Sequence, residues 1–354
     1  MRAKFLYLIV CNSTFLNQVT YAVGNYPQAA AVGDVNSDNK PDIIVANSGS
    51  NNIGVLLNRG NGTFNAQTIY TVGTNPYSVA VVDVNSDNKS DIVVAIYGTN
   101  NVGVLLNIGN GTFNAQTTYA VGTDPYSVTV VDVNNDNKPD IIVANWASGN
   151  VGVLLNAGNG TFNNQTTYTT GGYVYAVAVV DVNSDNKPDI VTANSGTNTV
   201  GVFLNKGNGT FNAQTTYSVG TNPISVAVVD VNSDNKPDII VATSASNTVG
   251  VLLNAGNGTF NAQTNYSVGT NPYSVAVVDV NCDNKPDIVV AIYGTNNVGV
   301  LLNIGNGTFS AQTTYAVGTY PYSVTVVDVN SDNKPDIVVA NSGSPYTVSV
   351  LLHC

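Results

Sequence analysis

A period of 49 residues runs through this 354-residue chain. The nonapeptide DVNSDNKPD, first seen at residues 34–42, occurs seven times in near-identical form. Its first aspartate is Asp34, Asp83, Asp132, Asp181, Asp230, Asp279 and Asp328. A fixed period of this length is typical of solenoids, propellers and other repeat arrays, in which neighbouring units share a continuous core. We therefore predict one repeat array rather than several unrelated domains.

Each repeat contains four short apolar runs. In the unit that starts at residue 78 they are SVAVVDV, DIVVAIY, NVGVLLN and AQTTYAV, separated by clusters of Gly, Asn, Asp and Thr. Short runs rich in Val, Ile, Thr and Tyr between turn residues indicate strands. The inner run is continuously apolar, as expected for a strand covered on both faces. Four strands per unit of 40–50 residues indicate a propeller blade.

The two ends of the sequence are complementary fragments of one repeat. NSTFLNQVTYAVG (12–24) aligns with the fourth strand at 61–73, whereas the chain ends at VSVLLHC, a third strand with no fourth after it. Joining the ends removes free sheet edges. We predict an all-β, seven-bladed β-propeller over 12–354, with four antiparallel strands per blade. Blade seven would combine 322–354 with 12–24, so that the N-terminal strand closes the ring.

Residues 1–11 lie outside this scheme. MRAKFLYLIVC has two basic residues before a short apolar run, so it is either a signal peptide or a surplus strand left from a longer array. The alignment also brings Cys11 close to Cys354 in the ring. A disulfide between them would restrict the unfolded chain and contribute about 2–4 kcal/mol; the alternative is two free thiols.

Composition argues against catalysis. The chain has no glutamate and one histidine, His353, and 21 of its 22 aspartates lie in the seven nonapeptides. General acid–base catalysis draws mainly on His, Glu and Asp with tuned pKa values, so we predict that the protein is not an enzyme. No apolar run reaches the length of a membrane span, and we predict no nucleic-acid partner.

The nonapeptide has the oxygen spacing of a cation loop. Positions 1, 3, 5 and 9 carry side-chain oxygens and position 7 offers its backbone carbonyl, while Asn39 at position 6 can adopt the left-handed conformation. Calcium takes six to eight oxygen ligands, Mg²⁺ demands stricter geometry, and zinc or copper would favour Cys or His. An EF-hand is excluded because position 12 is Val45. The alternative is a set of metal-free Asx turns.

We therefore predict about one Ca²⁺ per blade, with each lysine contributing its carbonyl oxygen. The predicted ligands are Asp34, Asn36, Asp38, Lys40 and Asp42; Asp83, Asn85, Asp87, Lys89 and Asp91; Asp132, Asn134, Asp136, Lys138 and Asp140; Asp181, Asn183, Asp185, Lys187 and Asp189; Asp230, Asn232, Asp234, Lys236 and Asp238; Asp279, Asn281, Asp283, Lys285 and Asp287; and Asp328, Asn330, Asp332, Lys334 and Asp336.

The unit FNAQTTYAVG…VAVVDVNSDNKPDIVVAN resembles the FG-GAP/VCBS repeat, as in the N-terminal β-propeller of integrin α chains. That family carries a D-x-D/N-x-D-G-x-x-D calcium loop between its first and second strands. The present repeats depart from it by having Asn at position 6 and no clear FG or GAP tripeptide. The resemblance implies a calcium-binding propeller, but not integrin-like signalling.

The repeats differ most at the connections opposite the acidic loops. Tyr97, Trp146 and Tyr293 follow the second strands there, and we predict that they bind a ligand because aromatic rings offer large contact areas. A second set, Tyr77, Tyr126, Tyr175, Tyr273 and Tyr322, is expected to pack between blades near the axis instead. Because residues 91–123 and 287–319 are almost identical, some of this variation could equally be drift after duplication.

These features lead to a functional hypothesis. We expect a secreted or cell-surface, calcium-binding propeller that acts in recognition or adhesion and binds an extracellular protein or glycan. The alternatives are a lectin-like carbohydrate-binding propeller and a non-catalytic scaffold fragment of a larger repeat protein. The N-G-T sequons, such as Asn61 and Asn110, are candidate glycosylation sites, although N-G pairs are equally good turn formers.

Overall fold

A computed structural model describes residues 14–354. In it the chain forms seven four-stranded antiparallel sheets. We number the blades I–VII along the chain, and the strands of each blade from first to fourth. The strands are Pro27–Gly33, Asp42–Asn47, Asn52–Leu56 and Thr68–Thr71 in blade I; Pro76–Val82, Asp91–Ile96, Asn101–Leu105 and Thr117–Ala120 in blade II; Pro125–Val131, Asp140–Asn145, Asn150–Leu154 and Thr166–Thr169 in blade III; Val174–Val180, Asp189–Asn194, Thr199–Phe203 and Thr215–Ser218 in blade IV; Pro223–Val229, Asp238–Thr243, Thr248–Leu252 and Thr264–Ser267 in blade V; Pro272–Val278, Asp287–Ile292, Asn297–Leu301 and Thr313–Ala316 in blade VI; and Pro321–Val327, Asp336–Asn341, Thr347–Leu351 and Val19–Ala22 in blade VII. The predicted seven-bladed propeller is confirmed.

The second strand of each blade is buried along its whole length because both of its faces meet another blade. In blade I, Ile44 and Ala46 pack in one cluster with Ile92 of blade II. The alternate residues Ile43 and Val45 pack in the next cluster, against blade VII. Side chains alternate between the faces of a strand, so a strand between two neighbours must be apolar at every position. This geometry explains the continuous apolar runs.

The chain ends close the ring in blade VII, as the sequence predicts. Val19–Ala22 pairs antiparallel with Thr347–Leu351, with Val19 opposite Val350. Beyond the strands, the Leu16 N–H donates to the Leu352 carbonyl and the Cys354 N–H to the Thr14 carbonyl. The N-terminal strand therefore covers the sheet edge that the third strand of blade VII would otherwise expose.

The predicted Cys11–Cys354 disulfide is wrong. Cys354 is a free, exposed thiol, and Cys11 lies outside the described residues, as do the alternatives for residues 1–11. The C-terminal residue is held differently: its N–H bonds to Thr14, and its carbonyl oxygen accepts a 2.7 Å hydrogen bond from Lys334 Nζ.

Buried asparagines after the third strands join successive blades. Asn107 Nδ2 donates to Ser90 O in its own blade and to Val35 O in blade I, both at 2.8 Å. Asn58, Asn156, Asn205, Asn254 and Asn303 repeat this pair of bonds. His353 follows the third strand in blade VII, where it stacks on Phe15 at 5.0 Å. Each asparagine thus fixes one acidic loop against the next.

The connections fall on two faces. The loop face carries the acidic nonapeptides and the GNGT turns after the third strands; in blades II, III, V and VI these turns form short extra hairpins, such as Asn107–Gly109 with Thr112–Phe113. The tyrosine face carries the connections from second to third strands and from each fourth strand to the next blade. Three of the former contain 3-10 turns, at Ser48–Ser50, Tyr97–Thr99 and Ser244–Ser246. Within residues 14–354, no helix has the length and apolar character needed to cross a membrane.

Candidate functional site

Each acidic loop is a chain of Asx turns. In blade I, Asp34 Oδ1 accepts the N–H groups of Asn36, Ser37 and Asp38, and its Oδ2 accepts the Asn39 N–H at 2.8 Å. Asn36 Oδ1 accepts the Asp38 N–H, and Asp38 Oδ1 accepts the Lys40 N–H, both at 3.0 Å. Asn39 has φ 62°, as predicted, and so does Ser37, which the sequence did not suggest. This folding turns the side-chain oxygens of positions 1, 3 and 5 into the loop.

The last aspartate of each loop is a buried structural acceptor. Asp42 is fully buried, with Oδ2 accepting the Val35 N–H at 3.0 Å and Oδ1 the Asn58 N–H at 2.8 Å. Burial raises the pKa of the Asp42 carboxyl to about 6, the two N–H bonds act against that shift, and the nearby Asp38 and Asp34 carboxylates add to it. A carboxylate in this position benefits from any nearby positive charge.

Lysine supplies part of that charge. Lys40 Nζ lies 3.6 Å from Asp38 Oδ2, and equivalent pairs occur in the next five blades; Lys334 instead bonds to the chain end. Both partners are about one-third exposed or more, and exposed pairs contribute little to stability. Across residues 14–354, no three Asp, Glu, His or Cys side chains are gathered closely enough to form a metal cluster. The loop therefore presents the predicted donors, with its carboxylates spread along the turns.

The donor set fits a hard cation. Carboxylate and amide oxygens are the ligands that Ca²⁺ prefers. Asp34 Oδ2 and Asp38 Oδ1 each accept one N–H bond and so keep a lone pair for a second partner. The Asx turns already hold the backbone in one conformation, so a cation at this loop would need less rearrangement of the chain. Positions 1, 3 and 5 lie toward solvent, while position 9 closes the loop from inside.

The tyrosine face is almost free of charge. Every lysine and arginine among residues 14–354 lies on the loop face: seven in the acidic loops, and Arg59 and Lys206 in the GNGT turns. The one aspartate outside the loops, Asp124, is the sole ionisable carboxylate that this part of the chain places on the tyrosine face. The two faces therefore suit chemically different partners.

An aromatic layer covers the axial end of the tyrosine face. Tyr126 and Tyr322 come from blades III and VII and share a short hydroxyl–hydroxyl hydrogen bond across the ring. Tyr77 packs on Tyr126 at 5.0 Å, and Tyr273 packs on Tyr322 at 4.6 Å. Burial raises the pKa of Tyr273 to about 12, and it also raises the pKa of Tyr126 and Tyr322 well above 10. These tyrosines pack near the axis, as the sequence suggests.

The three predicted ligand residues lie at the rim of this layer. Tyr97 stacks on Tyr77 at 4.7 Å, and Trp146 stacks on Tyr173 at 4.5 Å. Tyr293 stacks on Tyr320 at 4.7 Å with an interplanar angle of 13°. Tyr97, Trp146 and Tyr293 are each half-buried. Each keeps part of its surface open and leans on a neighbouring tyrosine.

A cleft of about 350 Å³ lies over blade VII on the same face. It is lined by five tyrosines with a glutamine, a glycine and two serines: Tyr26, Gln28, Tyr293, Tyr320, Tyr322, Ser342, Gly343, Ser344 and Tyr346. We call this the blade VII cleft. Sequence reasoning included Tyr293 but missed Gln28, which replaces the tyrosine that five of the other blades carry at this position. Its mismatch with the other repeats was the available signal.

The repeated loops, the four-stranded blades and the ring closure now specify a family. The FG-GAP-like repeat matches six overlapping segments, 34–94, 83–143, 132–192, 181–241, 230–290 and 279–339, which together cover most of the chain. The chain belongs to the FG-GAP repeat family. Each matched segment of this FG-GAP propeller begins at the first aspartate of an acidic loop and ends in the second strand of the next blade.

Solved structures share the ring architecture of the FG-GAP propeller at low sequence identity. BBS1N, in its complex with ARL6DN, superposes with a TM-score of 0.68 at 11% identity over 97% of this chain and 98% of its own. Virginiamycin B lyase from Staphylococcus aureus gives 0.65 at 15% identity over 96% and 98%. An Agrocybe aegerita lectin that recognises non-reducing terminal N-acetylglucosamine gives 0.58 at 20% identity over 92% and 87%.

Those three proteins share a fold with the FG-GAP propeller but perform different tasks, so the likeness shows the architecture alone. No curated protein sequence matches the chain. The FG-GAP propeller fold supports a non-catalytic recognition role. What the protein recognises must be argued from its own residues.

Proposed function

We propose that this protein is a secreted or cell-surface recognition propeller that binds its ligand on the tyrosine face, while calcium stabilises the loop face. The observation that carries the proposal is the segregation of charge between the two faces. Nearly all carboxylates serve the loops, whereas the opposite face offers aromatic rings, amides and hydroxyls. Aromatic side chains are enriched at interfaces because they bury a large area and keep a polar handle.

Calcium would be held by the loop residues that carry the oxygen donors. In blade I these are the side chains of Asp34, Asn36, Asp38 and Asp42, with the Lys40 carbonyl. The bound cation would supply positive charge among carboxylates that otherwise repel one another. The chain's own contribution is the Asx-turn scaffold and the asparagine that ties each loop to the next, so that a stabilised loop also stabilises the contact between blades.

The calcium assignment is tested by calorimetry and thermal unfolding. We expect a stoichiometry near seven and a melting temperature that falls when EDTA removes the metal, because a ligand that binds only the folded state raises its stability. Asp38→Asn should abolish one site out of seven, whereas Asp124→Asn, which lies on the other face, should leave the stoichiometry unchanged. An identical melting curve with calcium and with EDTA would refute the structural role.

A non-enzymatic role fits the remaining carboxylates. Glycosidases use a pair of carboxyl groups about 5–10 Å apart, and the tyrosine face of the described chain holds Asp124 alone. The carboxylates of the acidic loops contact backbone N–H groups and lysines, and in this proposal they also bind the structural cation. Recognition without chemistry is therefore the function that the side chains support best.

The role of the tyrosine face is tested with two variants that change the charge of one face each. Ser344→Arg adds charge to an exposed position on the tyrosine face, and Lys206→Ala alters an exposed position on the loop face. Binding to immobilised extracellular-matrix proteins and to a glycan array should weaken with the first variant and persist with the second. Loss of binding with Lys206→Ala, but not with Ser344→Arg, would place recognition on the loop face and refute the proposal.

A lectin-like role is the second candidate function. The blade VII cleft favours it, since five aromatic rings surround a few neutral hydrogen-bonding groups there. A protein partner would be expected to contact a wider area of the face, on the scale of about 800 Å² per partner. The two candidates therefore differ in footprint.

A further inference from the structure

We propose that the blade VII cleft binds a neutral saccharide; this assignment rests on the recognition role of the tyrosine face and names its ligand class. The cleft volume, about 350 Å³, falls within the range of small-molecule sites. Its lining combines aromatic rings with a few uncharged polar groups, which is the composition that such sites use to hold and orient a ligand.

Two aromatic pairs line the cleft. Tyr320 and Tyr293 stack with centroids 4.7 Å apart, and Tyr26 and Tyr346 lie 4.9 Å apart at an angle of 51°. Tyr320 and Tyr26 remain 46% and 52% exposed, so their rings are open to a ligand. The ring of a tyrosine offers an apolar surface to the C–H groups of a sugar, and its hydroxyl can exchange hydrogen bonds with sugar hydroxyls.

Glycine holds the tyrosine rings in place. A Cβ atom at Gly343 would lie 2.8 Å from Tyr320 Cδ2, and one at Gly49 would lie 2.5 Å from Tyr26 Cδ2. Both rings thus lie directly against backbone. Side chains fixed in this way lose little conformational entropy when a ligand binds.

Gln28, which lines the cleft, carries one buried polar atom without a hydrogen-bond partner in the described chain. Its side chain is 9% exposed; Nε2 donates to Ser48 Oγ at 3.3 Å, whereas Oε1 is buried and accepts no hydrogen bond from the rest of 14–354. Because Ser48 Oγ donates in turn to Tyr26 O, the amide orientation is set by its partner. Buried polar atoms are nearly always hydrogen-bonded. A rotation of the Gln28 amide toward the cleft would let a sugar hydroxyl donate to this oxygen.

The polar groups of the cleft are all neutral. Ser342 is buried and donates to Tyr320 O at 3.1 Å, which leaves its oxygen able to accept, and Ser344 is exposed. No Lys, Arg, Asp or Glu belongs to the lining of the cleft. A carboxylate, sulfate or phosphate would lose water there without gaining a counter-charge. Neutral saccharides satisfy both the rings and the amide.

Blade VII and its neighbour differ from the other repeats where this cleft forms. The connection between the second and third strands has five residues, 342–346, against four in blade I, 48–51. The extra length places Tyr346 beside Tyr26. The blade IV equivalent of Tyr26 and Tyr320 is Tyr173, which is 49% exposed but lines a separate cleft with glycines and Ser148. The repeat therefore provides a matched control.

The test uses the full chain with calcium on an array of neutral, sialylated and sulfated glycans. The neutral glycan with the strongest signal is then titrated by saturation-transfer NMR and calorimetry. We expect binding to neutral glycans and no gain from added acidic groups. Tyr320→Ala and Gln28→Met should each weaken that binding about tenfold, since one stacked ring or one buried hydrogen bond is worth about 1–1.5 kcal/mol.

Tyr173→Ala should change the affinity less than about twofold, and unchanged melting temperatures would show that all three variants are folded. Absence of binding to every neutral glycan would overturn the saccharide assignment, while binding of a protein partner that Ser344→Arg weakens would still support recognition by this face. If Tyr173→Ala abolished glycan binding and Tyr320→Ala left it unchanged, the blade VII cleft would not be the binding site. Recognition by the tyrosine face would still be supported. Preference for sulfated or sialylated glycans would overturn the neutral class.

Discussion

The loop face and the tyrosine face are built from the same repeats but follow opposite rules. On the loop face, the first aspartate of every blade accepts the N–H groups of positions 3, 5 and 6. Asp42 and its six equivalents are all fully buried. On the tyrosine face, the position of Tyr97 is serine in four blades and tryptophan in one. The difference shows that residues are repeated where their hydrogen bonds hold the ring together, whereas the half-buried aromatic positions at the rim of the tyrosine face differ between blades.

Removal of a buried aspartate tests most strongly whether the loop face holds the fold together. In Asp189→Ala, the N–H groups of Val182 and Asn205 lose their acceptor inside the protein. Two buried unsatisfied donors should cost about 2–5 kcal/mol of unfolding free energy. The measurement is denaturant unfolding in EDTA, which separates this effect from metal binding.

Asp124→Asn is the matched control on the tyrosine face: Asn75 and Asn271 hold the same left-handed conformation at this repeat position, so the variant should stay within about 0.5 kcal/mol of wild type. Should Asp189→Ala fail to fold, Asp189→Asn keeps one acceptor oxygen and should show a smaller loss. Equal, small effects from Asp189→Asn and Asp124→Asn would contradict the structural role of the buried carboxylate.

The inter-blade asparagine gives the next largest expected effect. Asn107→Ala removes the donors to Val35 O and Ser90 O and the acceptor for the Gly109 N–H. We expect a loss of about 1–3 kcal/mol in denaturant unfolding, because these groups are buried or partly buried. Asn114→Ser is the control, since blade VI already carries Ser310 at that position; a loss as large in the control would refute the assignment.

Alkaline pH should reveal the aromatic layer. Burial raises the pKa of Tyr273 to about 12 and that of Tyr126 and Tyr322 also well above the ordinary value of 10. The folded protein then keeps protons that the unfolded chain has lost, so the contribution of these groups is fully present below pH 10 and declines as pH rises from 10 toward 12. For Tyr273 alone we expect a loss on the order of 2 kcal/mol between pH 10 and pH 12, to which Tyr126 and Tyr322 add.

The measurement combines tyrosinate absorbance with denaturant unfolding at each pH. The double variant Tyr126→Phe with Tyr322→Phe should lose less stability between pH 10 and pH 12, because it removes two groups that titrate with raised pKa. All tyrosines ionising together near pH 10 in the folded protein would show that the layer is open to water.

The smallest expected effect is an exchange between repeats on the tyrosine face. Tyr97→Ser gives blade II the residue that blade I has at Ser48. Because Tyr97 is half-buried and leans on Tyr77 alone among its close stacking contacts, the change in unfolding free energy should stay below about 1 kcal/mol. A loss above about 2 kcal/mol would place this residue in the structural core instead.

The sequence predicts the ring because its signals are periodic and redundant. The spacing of Asp34 and its equivalents sets the number of blades, and the complementary fragments at 12–24 and the C-terminus predict the closure that the pairing of Val19 with Val350 confirms. The left-handed Asn39 follows from local turn chemistry. These features depend on residues close in sequence or on exact repetition, which one sequence displays directly.

The contacts that the sequence does not reveal are long-range. Nothing in the repeat predicts that Asn107 reaches back 72 residues to Val35, or that Tyr126 meets Tyr322 across the ring. The sequence shows that Gln28 differs from the other repeats, but it does not predict that Oε1 is buried without a partner within 14–354 or that Gln28 lines a cleft shared by three blades. The disulfide prediction failed because near alignment of two cysteines does not specify how the last residues pair.

The antiparallel pairing in blade VII also determines how the ring would respond to tension. Thr14 and Cys354 lie side by side at the same end of the pair, since the N–H of one bonds to the carbonyl of the other. A force that pulls these two residues apart would act along the hydrogen bonds between the two strands. The bonds would therefore break one after another in an unzipping geometry, rather than all at once in shear. Tension across the two ends would therefore open the ring at blade VII, beneath the blade VII cleft, before it disturbs the six blades formed from continuous chain.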